Sequence, residues 1–139
     1  MAKTTYFLDT SFIFALLNSR NQWHSKALQH QLIIQRESRP ILTTEFILTE
    51  IADGLSAVKF RGLAAAAINS LISDSLVTIV PTTSSLFRSA LNFFEARQDK
   101  IWGLTDCSSF VVMTDYGVTE ALTSDDDFRQ AGFKALMLD

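Results

Sequence analysis

The stretch TYFLDTSFIFALL, residues 5–17, decides the fold class of this chain. Its first apolar run, residues 6–8, is short and rich in β-favouring side chains, and the polar triplet Asp9-Thr10-Ser11 follows at once. A buried strand that leads into a helix cap has this pattern, because a carboxylate or hydroxyl accepts hydrogen bonds from the free N–H groups of the first helical turn. We therefore predict a strand over residues 6–8 and a short helix after Asp9.

Short apolar strands and helices continue to alternate outward from this stretch. Apolar spacing and cap residues predict further strands over residues 41–43, 77–80, 120–123 and 135–138, and helices over residues 24–35, 45–55, 63–73, from 84 or 85 onward, and from a cap at Thr105 to Gly117. Lys59 and Arg61, between Gly54 and Gly62, are interpreted as a basic link. This alternation is typical of a three-layer α/β/α sandwich with a central parallel sheet, here of four or five strands.

Composition limits the classes of protein that the chain can belong to. Its 139 residues fit one domain over residues 1–139. Apolar residues make up 47% and charged residues 19%, which excludes a disordered chain. The net charge of −3 argues mildly against simple binding to a nucleic-acid backbone. The single cysteine, Cys107, indicates a reducing cytoplasm, and no window approaches the roughly 20 apolar residues of a membrane span.

Several acids are expected at one edge of the predicted sheet. Asp9 follows the first strand, Asp125 follows the fourth, and Glu50 lies in the helix after the second. Right-handed crossovers place the carboxyl ends of parallel strands at the same edge, where ligands of such folds bind. These three side chains can therefore face one crevice. Asp106 opens a helix with no strand directly before it, so topology alone does not bring it there.

The residues leave two of these choices open. Glu45 lies on the same predicted helix as Glu50, and Asp125 begins a run of three acids that ends at Asp127. Each of these acids also has an ordinary interpretation as a helix cap or a solvated charge. Converging carboxylates repel one another, and a hard divalent cation such as Mg²⁺ or Mn²⁺ reverses the sign of that interaction. The pattern thus favours a site for one or two such ions, which can activate water against a phosphodiester bond.

The ordered motifs resemble the PIN domain family, in particular the VapC-like toxins of type II toxin–antitoxin pairs. The matching segments, in chain order, are residues 7–11 (FLDTS), Glu50 with Ile51, residues 102–110 (WGLTDCSSF) and residues 122–128 (LTSDDDF). The resemblance covers essentially the whole chain, and the segment 102–110 is the most distinctive of the four. It fits the predicted α/β/α fold.

The resemblance implies a function and a set of site residues. Asp9, Glu50, Asp106 and Asp125 would form the acidic quartet that binds Mg²⁺ or Mn²⁺ and catalyses hydrolysis of RNA, with Ser11 and Thr123 as polar supports. It also implies a homodimer that a small antitoxin protein inhibits. At Asp127, where many members carry histidine or another polar residue, the chain departs from the pattern. This extra acid could join the metal site or face solvent, and we favour solvent.

Other residues and functions compete with this interpretation. Lys100 and Trp102 precede the helix of Asp106 and are candidates for contact with RNA, although packing of the tryptophan onto the core is the favoured interpretation. An aspartyl-phosphate at Asp9 is a second hypothesis, weakened because Ser11 stands where a dehalogenase-like enzyme has an acid. A non-catalytic acidic module that binds an ion or a basic peptide is the third.

Overall fold

A computed structural model describes residues 3–139 and contains one parallel sheet of five strands. The strands are β1 (Tyr6–Leu8), β2 (Ile41–Thr44), β3 (Val77–Val80), β4 (Glu120–Leu122) and β5 (Lys134–Ala135). Their order across the sheet is β3-β2-β1-β4-β5. All four neighbouring pairs are parallel, with Tyr6 opposite both Ile41 and Glu120. The predicted parallel sheet is confirmed, at five strands.

Helices connect every pair of successive strands. They are α1 (Thr10–Leu17), α2 (His24–Glu37), α3 (Glu45–Gly54), α4 (Val58–Ser73), α5 (Ser84–Ala96), α6 (Leu104–Asp115) and α7 (Asp126–Gln130). Right-handed connections place α1 to α4 on one face of the sheet and α5 to α7 on the other. The contacts agree, since α1 touches α2 and α3 while α6 touches α5 and α7; in addition, α3 and α6 touch each other. The fold is the predicted three-layer sandwich.

Several predictions of individual elements were wrong. The basic segment around Lys59 and Arg61 is not a link but the start of α4, because Gly62 keeps a helical conformation with open space around it. Helix α6 begins at Leu104 after an N-cap at Gly103, ahead of the predicted cap at Thr105. Helix α7 was missed, and β5 is two residues long and begins earlier than predicted. At five residues, α7 is too short for helical periodicity to reveal it.

The buried core lies on both faces of the sheet. Phe7, Ile47 and Phe110 are almost completely buried, and aromatic packing continues from Phe110 to Phe128 with ring centroids 5.0 Å apart. No helix within residues 3–139 is long and apolar enough to cross a membrane. The sheet that carries the candidate site is thus packed on both faces by buried apolar side chains.

The strand order reverses at β1, which lies between β2 and β4. The chain passes from β1 to β2 and then to β3 at one edge of the sheet, whereas β4 and β5 lie on the other side of β1. This reversal leaves a crevice beyond the carboxyl ends of β1 and β4, the usual ligand position in such sheets. Asp9 and Thr123 follow those two strands directly.

Candidate metal centre

Asp9 is the most buried acid of the crevice. It is the N-cap of α1, with 5% of its surface exposed. Its Oδ2 atom accepts hydrogen bonds from Ser11 Oγ at 2.8 Å and from Thr123 Oγ1 at 2.8 Å. Burial raises the pKa of Asp9 to about 6, against the lowering effect of the two hydroxyls, and the nearby Glu50 and Asp125 raise it further. The site thus holds a carboxylate in a place that disfavours its charge.

Ser11 and Thr123 join the start of α1 to the segment after β4. Their hydroxyl oxygens lie 3.1 Å apart, and the backbone N–H of Ser124 donates to Ser11 Oγ at 3.1 Å. The N–H of Asp125 donates to Thr123 Oγ1 at 3.0 Å. Both residues therefore contact Asp9 and also fix the backbone that carries Asp125.

A second group of carboxylates lies in the same crevice. Asp106, Asp125 and Asp127 each offer an oxygen, and the three oxygens lie within 4.8 Å of one another. Burial raises the pKa of Asp106 to about 7, with further increases from the charges of Asp125, Asp9 and Asp127. The Gly103 N–H opposes this rise by donating to Asp106 Oδ2 at 3.0 Å. Three acids at this separation need protons or a cation between them.

Asp127 is partly buried, whereas the sequence analysis favoured exposure to solvent. The first turn of α7 brings it beside Asp125, whose Oδ1 accepts from the Asp127 N–H at 2.9 Å. Partial burial raises its pKa, and its carboxylate interacts with those of Asp106 and Asp125. Sequence reasoning named this residue as an extra acid two positions after Asp125 but favoured the alternative in which it faces solvent.

Glu50 and Glu45 have different surroundings on α3. The Glu45 Oε1 atom accepts from the backbone N–H of Thr82 at 2.7 Å, which ties it to the segment after β3. Glu50 is exposed, and its charge is among the causes that raise the pKa of Asp9. Of the two acids, Glu50 is therefore the one that acts electrostatically on the crevice, although it lies outside the group of three close carboxylates.

The donor set of the crevice suits a divalent cation. Within residues 3–139, no lysine, arginine or histidine forms an ion pair with Asp9, Asp106, Asp125 or Asp127. Their carboxylate oxygens are hard ligands of the kind that Mg²⁺, Mn²⁺ and Ca²⁺ prefer. The acids of the crevice could thus bind a metal ion, which would compensate their mutual repulsion.

Trp102 and Lys100 differ in what they can offer to a ligand. Trp102 is 4% exposed, and its ring stacks on Phe93 at 5.8 Å and packs edge-on against Phe110 at 5.1 Å. This burial favours core packing over stacking on an RNA base. The Lys100 ammonium lies 5.6 Å from the Trp102 ring centroid, and its contact with RNA stays a prediction.

Comparisons with known proteins agree with this architecture. The PIN domain family model matches residues 6–134. The 23S rRNA-specific endonuclease VapC20 of Mycobacterium tuberculosis is 27% identical over 127 residues, which cover 91% of this chain and 94% of that protein. The crystal structure of VapC20, described as a Sarcin-Ricin loop cleaving toxin, superposes with a TM-score of 0.79 at 26% identity, over 92% of this chain and 95% of VapC20.

More distant solved structures share the fold. A chain of VapBC2 from Rickettsia felis, bound to a promoter DNA fragment, gives a TM-score of 0.68 at 13% identity, over 95% of this chain and 96% of that one. A chain of VapBC-1 from nontypeable Haemophilus influenzae gives 0.61 at 16% identity, over 92% of both chains. With the family model spanning nearly the whole sequence, this chain belongs to the PIN domain family.

Proposed function

We propose that this protein is a metal-dependent endoribonuclease and the toxin of a toxin–antitoxin pair. One observation carries the proposal. Asp9, Asp106, Asp125 and Asp127 reach one crevice of a PIN domain without a basic partner among residues 3–139. A fold that keeps several unpaired acids together loses stability unless a cation binds them. The similarity to VapC20, named as an rRNA endonuclease, supports RNA as the substrate.

The acids would hold one or two Mg²⁺ or Mn²⁺ ions, with Asp9, Glu50, Asp106 and Asp125 as the core set and Asp127 as a further ligand. When bound, such an ion lowers the pKa of water and stabilises negative charge on phosphate oxygens. Ser11 and Thr123 orient the Asp9 carboxylate through the two 2.8 Å hydrogen bonds. Water would attack phosphorus in line with the leaving ribose oxygen, without a covalent bond to the protein.

The proposed biological setting follows from the relatives. The toxin–antitoxin complexes among the structural neighbours support an antitoxin partner for this chain. The proposal also includes a homodimer, which the resemblance to VapC-like toxins implies. It includes a cytoplasmic location, because ribosomal RNA is a cytoplasmic substrate in a bacterium. The specific RNA is best sought first among ribosomal RNAs, by analogy with VapC20.

The test is cleavage of total bacterial RNA by the purified protein, with Mg²⁺, with Mn²⁺ and with EDTA. We expect discrete RNA fragments with either metal and none with EDTA. Single-stranded DNA of matched length serves as the control substrate, and we expect it to stay intact. RNA that survives with both metals, or that is cut equally in EDTA, would refute the proposed function.

A further inference from the structure

A cavity of about 300 Å³ adjoins the acidic crevice. It lies between α3, the start of α6 and the segment after β3, and is lined by Phe46, Thr49, Glu50, Asp53, Thr82 and Thr105. It shares Glu50 with the candidate metal centre, and Thr105 directly precedes Asp106. A group bound in this cavity would therefore sit next to the phosphate that the acids act on.

Hydrogen bonds give this cavity a defined wall. The Thr82 N–H donates to Glu45 Oε1 at 2.7 Å, which holds the segment after β3 against α3. Thr49 Oγ1 donates to the Glu45 carbonyl at 2.8 Å, so the start of α3 supplies both anchors. Thr82, which lines the cavity, is thus held through its backbone N–H against Glu45, the first residue of α3.

Asp53 has no evident role in stability. It lies in the last turn of α3, where the helix dipole disfavours an acidic side chain. It is exposed, and none of the ion pairs formed within residues 3–139 involves it. Asp53 lies on the rim of the cavity beside the site, and no ion pair within residues 3–139 keeps its carboxylate from accepting hydrogen bonds from a ligand.

The chemistry of the lining selects the ligand. The Asp53 carboxylate only accepts hydrogen bonds, with two adjacent oxygens, and threonine hydroxyls add further acceptors. Phe46 supplies a half-buried aromatic ring. Single-stranded RNA is recognised by stacking of bases on aromatic rings and by hydrogen bonds to their Watson–Crick edges. Only guanine among the four RNA bases presents two adjacent donors, N1–H and the 2-amino group, on that edge.

We infer that this cavity binds a guanine base next to the cleaved bond, with Asp53 accepting from N1–H and the 2-amino group and Phe46 contacting the base. The inference rests on the proposed function, because it names the sequence preference of the same nuclease site. Asp53 is here a specificity-determining residue that contacts the substrate away from the reacting phosphate.

Nucleoside titration tests the cavity without any need for cleavage. Guanosine, inosine, adenosine, cytidine and uridine are added to the ¹⁵N-labelled protein in EDTA, and amide chemical shifts are followed. We expect guanosine to shift amides of residues 49–53, 82 and 105, and inosine, which lacks the 2-amino group, to bind about tenfold more weakly. Asp53→Asn should remove the preference for guanosine. Asp115→Asn is the matched control, since Asp115 is also an exposed acid in the last turn of a helix.

Sequencing the ends of fragments from a randomised RNA pool, cut with Mn²⁺, gives the second readout. We expect guanine at one position beside the cut for the wild type and for Asp115→Asn, and no such enrichment for Asp53→Asn. Equal binding of all five nucleosides, or a guanosine preference that survives Asp53→Asn, would overturn the inference. Cleavage without base preference overturns the inference alone. An RNA pool that stays uncut would overturn the proposed function. The nucleoside titration then shows by itself whether the cavity binds guanine.

Discussion

Replacement of Asp9 by asparagine should make the metal-free protein more stable at neutral pH while it abolishes cleavage. Burial raises the pKa of Asp9 from 3.8 to about 6, so the folded state binds this proton more tightly than the unfolded chain does. Between pH 4 and pH 6 the unfolded chain has lost the proton that the folded state keeps, and the free energy of unfolding falls as pH rises. Above about pH 6 the folded state has lost this proton as well, and Asp9 lowers the free energy of unfolding no further.

The expected gain in the free energy of unfolding follows from the same two pKa values. A pKa difference between 3.8 and about 6 corresponds to about 3 kcal/mol of unfavourable free energy in the charged form, which is an upper limit. Asparagine carries no charge, and its amide oxygen can still accept from Ser11 and Thr123 at the position of Oδ2. Asp9→Asn should therefore gain up to about 3 kcal/mol at pH 8 and almost nothing at pH 4.

Urea unfolding in EDTA at pH 4 and pH 8 measures this difference. The matched control is Asp115→Asn, which removes an exposed acid and should change stability little at either pH. A loss of stability for Asp9→Asn at pH 8, or an equal gain at both pH values, would refute the electrostatic reasoning. In the first case the hydrogen bonds to the carboxylate would outweigh the burial of its charge.

Three further substitutions test the packing and the ligand set. Thr123→Val removes a buried hydroxyl that bonds Asp9 and Asp125, so urea unfolding should show a loss of about 1–3 kcal/mol; an unchanged midpoint would contradict the network. Asp127→Asn should weaken Mn²⁺ binding roughly tenfold in calorimetry, whereas Asp126→Asn should not; equal effects would remove Asp127 from the site. Trp102→Ala should lose about 3–5 kcal/mol of stability, against little for the 95% exposed Ile101→Ala, and a similar loss for both would contradict the burial of the indole.

Local patterns in the sequence predicted the sheet and the position of Asp9. Residues 6–8 and the cap at Asp9 are signals confined to a few neighbouring positions, and the reversal of strand order at β1 then places Asp9 in the crevice. The helix predicted over residues 45–55 likewise has a local signal at its start, since the hydroxyl of Thr44, directly before it, accepts from the Ile47 N–H at 3.1 Å. Caps and strand ends can be read locally because their partners lie within one helical turn.

The rest of the site depends on contacts distant in sequence. Asp106 reaches the crevice because α6 packs against α5 and α3, and no strand precedes it to indicate its position. Asp127 was assigned to solvent because an acidic run is usually a solvated cap, and the short turn of α7 that redirects it leaves no periodic signal. The cavity beside Glu50 is lined in part by Thr82, which a hydrogen bond to Glu45 holds against α3 from a distant part of the chain.

Cleavage of ribosomal RNA by the wild type, Asp106→Asn and Asp115→Asn at saturating Mn²⁺ tests most directly whether the acids of the crevice carry the activity. The asparagine at position 106 keeps the size of the side chain and removes a charged oxygen ligand. We expect Asp106→Asn to cleave at least about a hundredfold more slowly than the wild type, because stabilisation of the transition state by the bound ion is worth several kcal/mol. Asp115→Asn should cleave at the wild-type rate. Equal cleavage by Asp106→Asn and the wild type would contradict a catalytic metal centre in this crevice.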